Sequence, residues 1–558
     1  MELNTQKPYC KPIGSILFVL LIIKSHLSFS QNTNDAFYVQ FIDKDTSYIP
    51  TEILSKKAID RRNKYQIQLN STDYPVKKEY LSALSRLDSV NIRYSLKWSN
   101  GAVIESSKTF IASLDSFPFI KIIKYVGTFN TNSKREPIEF HQPILKLKVN
   151  SMETVGLNEE DYGKSYQQNK QIGILHLHNK GFNGNNVSVA VFDAGFKNIT
   201  EIPGFLRHQA NEKLRYGYDL VNLDNSLSDF DTHGTACASA LGAYDKGKFI
   251  GSGPLAKLTL FKTENGKSEY PIEELNWCKA AEIADSLGVD IITSSLGYNQ
   301  FDDQNLNYTH RQLDGNSSYI SIGAKTAVSK GIIVLNSAGN QGNSEWQKIG
   351  FPADVEEVLT VGAINKNGSP APFSSKGYNA NQSIKPDVVA LGVRTTVASP
   401  SGFYYKGNGT SFSTPIVAGG VACLLQAFPK LSPKEINDLI RQTADQNTKP
   451  DSIIGYGVAR FDIAFEYQNY LDRKTVRPHV LYSNPKEVVI FSGAAKSMDL
   501  TYYVNQKFLG FLRYRKKVGT QKGITPSTVH YIKTTLNDDN STVKIKLYDK
   551  EGSPIKIK

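Results

Sequence analysis

Five short apolar runs constrain this chain more than anything else in it: VSVAVFD from Val187, VDIITSS from Val289, GIIVLNS from Gly331, VLTVGAI from Val358 and KPDVVAL from Lys385. They are rich in β-branched residues and lack the polar–apolar alternation of a sheet with one wet face. Between them lie stretches of helical character, such as PIEELNWCKAAEIADSLG from Pro271 and SYISIGAKTAVSKG from Ser318. Strands buried on both faces with helices between them imply an α/β fold, a doubly wound and mostly parallel sheet. In such sheets ligands bind beyond the carboxyl ends of the strands. The residues that follow each strand are therefore the place to look for chemistry.

The first run ends in Asp193 and Gly195, the second in Ser295, Leu296 and Gly297, and the third leads through Ser337, Ala338 and Gly339 to Asn340. His233 opens the small-residue stretch HGTACASALGAY. Further on, GNGTSFSTPIVAGGVACLL (Gly407 to Leu425) sets Thr410, Ser411, Ser413 and Thr414 against a run that is almost wholly apolar. Hydroxyls ahead of Pro415 suit a helix start, where they cap free N–H groups and proline is tolerated in the first turn. One of them would also suit a nucleophile held at the positive end of a buried helix. Taken singly, a strand-end Asp is usually a cap, an Asn beside glycine a turn residue and a lone His structural. Taken together they are the parts of an acyl-transfer site: a hydroxyl to attack, an imidazole to take its proton, a carboxylate to hold the imidazole and a carboxamide to donate to an oxyanion.

The ordered set AVFDAG, HGT, SLG, SAGN and GTSFSTP, within Gln168 to Gln468, resembles the motifs of the subtilisin-like serine peptidases, or subtilases. The resemblance implies a secreted serine endopeptidase in which Asp193 orients, His233 is the general base, Ser411 is the nucleophile and Asn340, with the Ser411 backbone N–H, donates to the oxyanion. It also implies that Ser295, Leu296, Gly297, Ser337, Ala338 and Gly339 wall the specificity pocket and that Gly350 lies at its floor. A glycine there leaves room and places no charge, so a large apolar or aromatic residue is expected before the scissile bond. Ala194 stands where a hydroxyl residue is common in the family, and Phe412 beside the nucleophile is a second departure. A transpeptidase or peptide cyclase would use the same acyl-enzyme with an amine in place of water, and a scaffold or adhesion module would keep the fold without the chemistry.

At 558 residues the chain is too long for one core. Residues 1–30, with Lys7 and Lys11 ahead of ILFVLLII and Ser28 and Ser30 behind it, read as a signal peptide too short to span a bilayer. Residues 31–126 carry a strand, helix, hairpin, strand pattern that resembles the family's inhibitory pro-regions, and 127–165 is turn-rich and suits a linker or maturation region. The peptidase domain is expected over 166–470. From 475 to 558 the chain reads as an all-β domain; LYSNPKEVVIF and the basic end resemble C-terminal sorting domains of bacterial type IX secretion, although Ser483 breaks the usual tyrosine-proline-asparagine-proline pattern, and an accessory β-sandwich fits equally well.

The expected partners are thus protein or peptide substrates, the chain's own pro-region as inhibitor and, through the tail, secretion machinery. The net charge of +12 is spread along the sequence, and its densest stretch, LRYRKKVGTQK, alternates as a solvated strand face would, so no nucleic-acid partner is expected. Cys237, Cys278 and Cys423 are scattered in apolar helical contexts and make no disulfide framework. No cofactor and no metal site is expected: His176 and His178 read as surface residues on one strand face, and no dense Asp/Asn loop marks the structural calcium that family members often carry.

Overall fold

A computed structural model describes residues 33–130, 154–227 and 231–472, and beyond them strand segments between 479 and 555. The signal-peptide expectation for residues 1–30 lies outside this range. At its centre is a parallel seven-stranded sheet of β5 (Ser188–Asp193), β6 (Leu214–Asp219), β7 (Lys257–Lys262), β8 (Ile291–Ser294), β9 (Ile333–Ser337), β10 (Leu359–Ile364) and β11 (Val388–Leu391), in the spatial order β11-β10-β9-β8-β5-β7-β6. The register brings Val189 beside Ile291 and Leu258, and Asp193 beside Lys262. Both faces are dry. Val189 and Val191 enter one apolar core, Ala190 and Phe192 the other. Each buried valine or phenylalanine side chain contributes about 1.5–3 kcal/mol, which explains why the strands carry no polar alternation.

On one face runs the helix Thr410–Ala427, buried from Thr410 through Leu425. The other is covered by the helices Pro271–Leu287 and Tyr319–Ser329. With Lys56–Tyr65 as α1, Lys78–Ser85 as α2 and His233–Gly242 as α3, these become α4 (Pro271–Leu287), α5 (Tyr319–Ser329) and α6 (Thr410–Ala427).

The N-terminal unit is α+β as expected, an antiparallel sheet of β1 (Thr33–Phe41), β2 (Asn91–Leu96), β3 (Gly101–Ser106) and β4 (Ile120–Asn130) in the order β2-β3-β1-β4. Strand β4 runs past Val126 to Asn130. The unit sits on α4: the Lys97 and Trp98 N–H groups donate to the two oxygens of Glu282 at 3.0 and 2.7 Å, and the Tyr94 hydroxyl donates to Asn276 at 2.6 Å. The segment expected to be a linker is docked over its described part, for Tyr162 is 1% exposed and Asn183 donates to Thr154 Oγ1 at 2.6 Å. In the C-terminal part the described strands form two antiparallel sheets, one of three strands and one of four, in keeping with an all-β domain.

Candidate active site

Asp193 closes β5 and is 1% exposed. Its Oδ1 lies 2.7 Å from His233 Nδ1 and also accepts from the Ala194 N–H at 2.9 Å. His233 begins α3, and the next residue explains how the imidazole comes so close: a Cβ at Gly234 would lie 2.4 Å from Gly195 O and 2.9 Å from Asp193 Cβ. The Asp193 carboxylate holds the imidazole pKa well above its ordinary value. One turn further on α3, Cys237 Sγ lies 3.9 Å from His233 Nε2 and donates to Ser411 O at 3.3 Å. That one sulfur touches both groups puts the imidazole and the serine in the same corner. Burial pushes the Cys237 thiol up, so it stays neutral.

Ser411 is the second residue of α6. Pro415 falls four residues later, inside the helix rather than in its first turn, and its missing N–H leaves the Ser411 carbonyl without an intrahelical donor. Ser295 Oγ fills that place at 2.8 Å, beside Cys237. In return the Ser411 hydroxyl donates to Ser295 O at 3.1 Å, so in this structure its acceptor is a carbonyl of the ledge and not His233. Phe412 packs its ring 6.0 Å from that of His233 and occupies the space that a side chain at Gly407 would need. Asn340 Oδ1 is pinned by the Thr410 N–H at 3.0 Å and the Thr410 hydroxyl at 3.1 Å. Its Nδ2 is left to face Gly409, whose φ of +153° favours a residue without a Cβ.

The expected pocket residues also come together. Asn336 donates to Leu296 O at 2.8 Å, Ser337 Oγ to Leu296 O at 3.2 Å and Gly350 N to Ala338 O at 3.3 Å. Tyr298, next after Gly297, exchanges backbone hydrogen bonds of 3.1 and 3.0 Å with Phe351. A Cβ at Gly350 would meet Tyr298 O at 3.3 Å, a tight approach to the backbone that follows Gly297. Sequence reasoning missed Thr410 as the anchor of Asn340, Asn336 as the tie between the ledges and Cys237 as the contact under the imidazole. Only the last left a signal, its spacing of four from His233 on a helix.

As potential metal ligands, the described residues bring together Asp193, His233 and Cys237, whose ligand atoms lie within 4.8 Å of one another. The short Asp193–His233 hydrogen bond and the neutral thiol suit proton handling better than a cation. The histidine expectation needs correction. His176 and His178 lie on the short helix Ile174–Asn179, not on a strand; His178 is fully buried between the Tyr162 hydroxyl at 2.7 Å and Ser252 O at 3.0 Å, while His176 pairs with Glu466 at 2.8 Å. The three cysteines are free and buried, as expected.

Comparison with known proteins points one way. The subtilase family model matches residues 184–457, and a peptidase S8 propeptide domain described from Bacteroidota matches residues 36–140. Subtilisin E of Bacillus subtilis (strain 168) is 30% identical over 304 residues, which span 52% of this chain and 70% of that protein. Subtilisin of Bacillus pumilus is 30% identical over 281 residues, 49% of this chain and 89% of that one. Serine protease AprX of Bacillus subtilis (strain 168) is 32% identical over 304 residues, covering 49% and 65%. Among solved structures, the epidermin leader peptide processing serine protease of Staphylococcus aureus superposes with a TM-score of 0.52 at 17% identity, over 78% of this chain and 99% of that one, a likeness of fold.

Proposed function

The chain belongs to the subtilase family of serine endopeptidases and carries a propeptide domain, and from that premise we propose that it is exported as a zymogen and cleaves peptide bonds through an acyl-enzyme on Ser411. The observation that carries this reading is the 2.7 Å Asp193–His233 pair standing with Ser411 around the Cys237 sulfur. The Ser411 hydroxyl turns from Ser295 O to His233 Nε2. As Oγ attacks the scissile carbonyl carbon, its proton passes to His233, and Asp193 stabilises the imidazolium. The carbonyl oxygen becomes an anion and takes N–H bonds from Asn340 Nδ2 and the Ser411 backbone. The C–N bond then breaks as His233 returns the proton to the leaving amine. Water repeats the sequence and frees the acid.

Fixing the carboxamide oxygen of Asn340 on Thr410 is what makes its N–H a donor of constant direction. The Gly350 floor favours a large uncharged side chain before the scissile bond. Until removed, the propeptide domain on α4 blocks the cleft.

The test is mass spectrometry after a serine-directed fluorophosphonate, with casein digestion, for the matured enzyme and Ser411→Ala. Labelling at Ser411, with digestion lost in the variant, is the expected result. Absence of labelling after complete pro-region removal overturns the reading.

A further inference from the structure

The N-terminal edge of the parallel sheet, opposite the catalytic one, carries an acceptor-lined site occupied by another part of the chain. Strand β5 links the two edges. It ends in Asp193 at the active site and starts at Ser188, whose N–H donates to the Asp290 carboxylate at 2.8 Å and whose carbonyl accepts from Asp290 N at 2.9 Å. Ser188 and Asp193 are five strand steps apart, about 16 Å. Around Asp290 gather the C-terminal ends of α4 and α5, whose last backbone carbonyls have no partner within their helices.

Helix α1 of the propeptide domain fills this place with donors. Arg61 Nε donates to Lys330 O at 3.0 Å, and its other nitrogens donate to Val289 O and to the backbone and carboxylate of Asp285. One guanidinium thus closes the ends of both helices. Arg62 grips the Asp285 carboxylate with two nitrogens at 3.0 and 2.8 Å, Lys57 donates to Asp290 at 2.7 Å and the Tyr65 hydroxyl to Leu431 O at 2.9 Å. Lys330 lends the site its carbonyl, while its ammonium is turned to Asp73 of the propeptide domain at 2.7 Å. The surfaces fit closely. Gly288 and Gly331 turn with φ of +78° and +84°; a Cβ at the first would stand 2.6 Å from Ala58 N, and one at the second 2.8 Å from the Tyr65 ring. The negative ends of two helix dipoles add to the carboxylates on the receiving side.

We propose that this edge is an exosite for a helix bearing adjacent arginines, held by α1 in the zymogen and, once the propeptide domain has gone, by protein substrates. The inference rests on the peptidase reading and deepens it by naming a substrate feature remote from the scissile bond. The acceptors belong to the peptidase domain's own helix ends and turns, so they stay in place when α1 leaves and are then open to a new ligand. An arginine pair meets them with charge-assisted, bidentate bonds, a geometry that a lysine pair cannot match. A substrate held there gains local concentration at the cleft without any new contact inside it.

The probe is a peptide of residues 55–67, and the enzyme is the matured wild type. Fluorophosphonate-blocked enzyme should bind the labelled peptide, and the R61A/R62A peptide should bind about 10-fold more weakly or worse. A cleavable reporter is then joined to the helix through a Gly/Ser linker of about 20 residues, whose mean span of about 25 Å exceeds the length of β5. Its kcat/KM should exceed that of the bare reporter by ~10-fold or more, through KM. Alanine at both arginines should remove the gain. Excess free peptide should also remove it and leave the rate on the bare reporter unchanged. Every substitution lies in the ligand, so the fold of the enzyme is untouched. No gain, a gain that survives the alanine pair, or equal inhibition of the bare reporter by the free peptide each overturns the exosite and leaves the peptidase reading standing. Failure to cut the bare reporter, with no fluorophosphonate labelling, sinks both.

Discussion

At the scale of single residues, the proposed mechanism makes His233 the group that sets the working pH. In that mechanism its neutral form is the base, and the Asp193 carboxylate stabilises the cationic form, so the base forms only as pH rises through a raised pKa. The acid limb of kcat/KM is therefore expected above the ordinary imidazole value of about 6.5, with activity rising toward alkaline pH. Asp193→Asn removes the charge and leaves the imidazole in the wrong tautomer. It should lower kcat by about 10⁴ and draw the limb back down; a pH profile unmoved by that change would show that the limb does not belong to His233. Asn340→Ala removes one of the two proposed oxyanion donors and should lower kcat by about 10²–10³, a magnitude carried over from a subtilisin, with KM little changed. The residue types of this site were legible because its chemistry needs them in recognisable contexts. The packing of Phe412 on His233 and the Ser295–Ser411 exchange were not, because they join segments distant in sequence, and Cys237 was signalled only by its spacing from His233.

At the scale of elements, α6 decides where Ser411 stands, and its position depends on how closely its backbone approaches the turn that leads into β7. A Cβ at Gly419 would lie 2.1 Å from Ser252 Oγ and 2.5 Å from Gly253 N, so the helix and the turn are in backbone contact there. Gly419→Ala must push α6 away or displace Ser252. We expect a loss of about 1–3 kcal/mol in stability, read from chemical denaturation of Ser411→Ala protein, with a lower kcat in the active background. Unchanged stability with unchanged kcat would mean that the contact yields freely. The same elements explain what the sequence hid. The five strands β5 and β8–β11 are buried on both faces and announce themselves as unbroken apolar runs, whereas β7 reads KLTLFK and the edge strand β6 reads LRYGYD, each too polar to stand out. Helix α1, KKAIDRRNKY, escaped for a related reason: the side chains it buries include Arg61 and Arg62, and nothing in a single sequence marks a buried arginine.

Those arginines matter at the scale of the whole molecule. Arg61 and Arg62 reach from the propeptide domain to Asp285 at the end of α4, Arg62 continues to Asp73 at 2.9 Å, and Asp73 accepts from Lys330, just past α5, at 2.7 Å. The Asp285, Asp73 and Lys330 side chains are 0% exposed and those of the arginines no more than 4%, so the two domains share one dry ion network. Such a network contributes little net stability while intact, yet removing one partner strands the others and costs about 3–5 kcal/mol. Asp285→Ala in full-length Ser411→Ala protein should therefore loosen the propeptide domain while the parallel sheet stays protected. Hydrogen exchange of β1–β4 against β5–β11 reads the difference. Acid should act on the same contact. Burial alone would raise Asp73, but the Lys330 ammonium, the Asn70 backbone and Arg62 outweigh it and hold the carboxyl below its ordinary value. A carboxyl depressed on docking stabilises the docked state above its free pKa and loses that contribution as pH falls through the docked value. Protection of β1–β4 is thus expected to hold from neutral pH to about 5 and to decline below about 4, near the free value for aspartate. Asp73→Asn should flatten that decline at the cost of weaker docking throughout, and an equally steep decline in the variant would assign the acid sensitivity to other carboxyls.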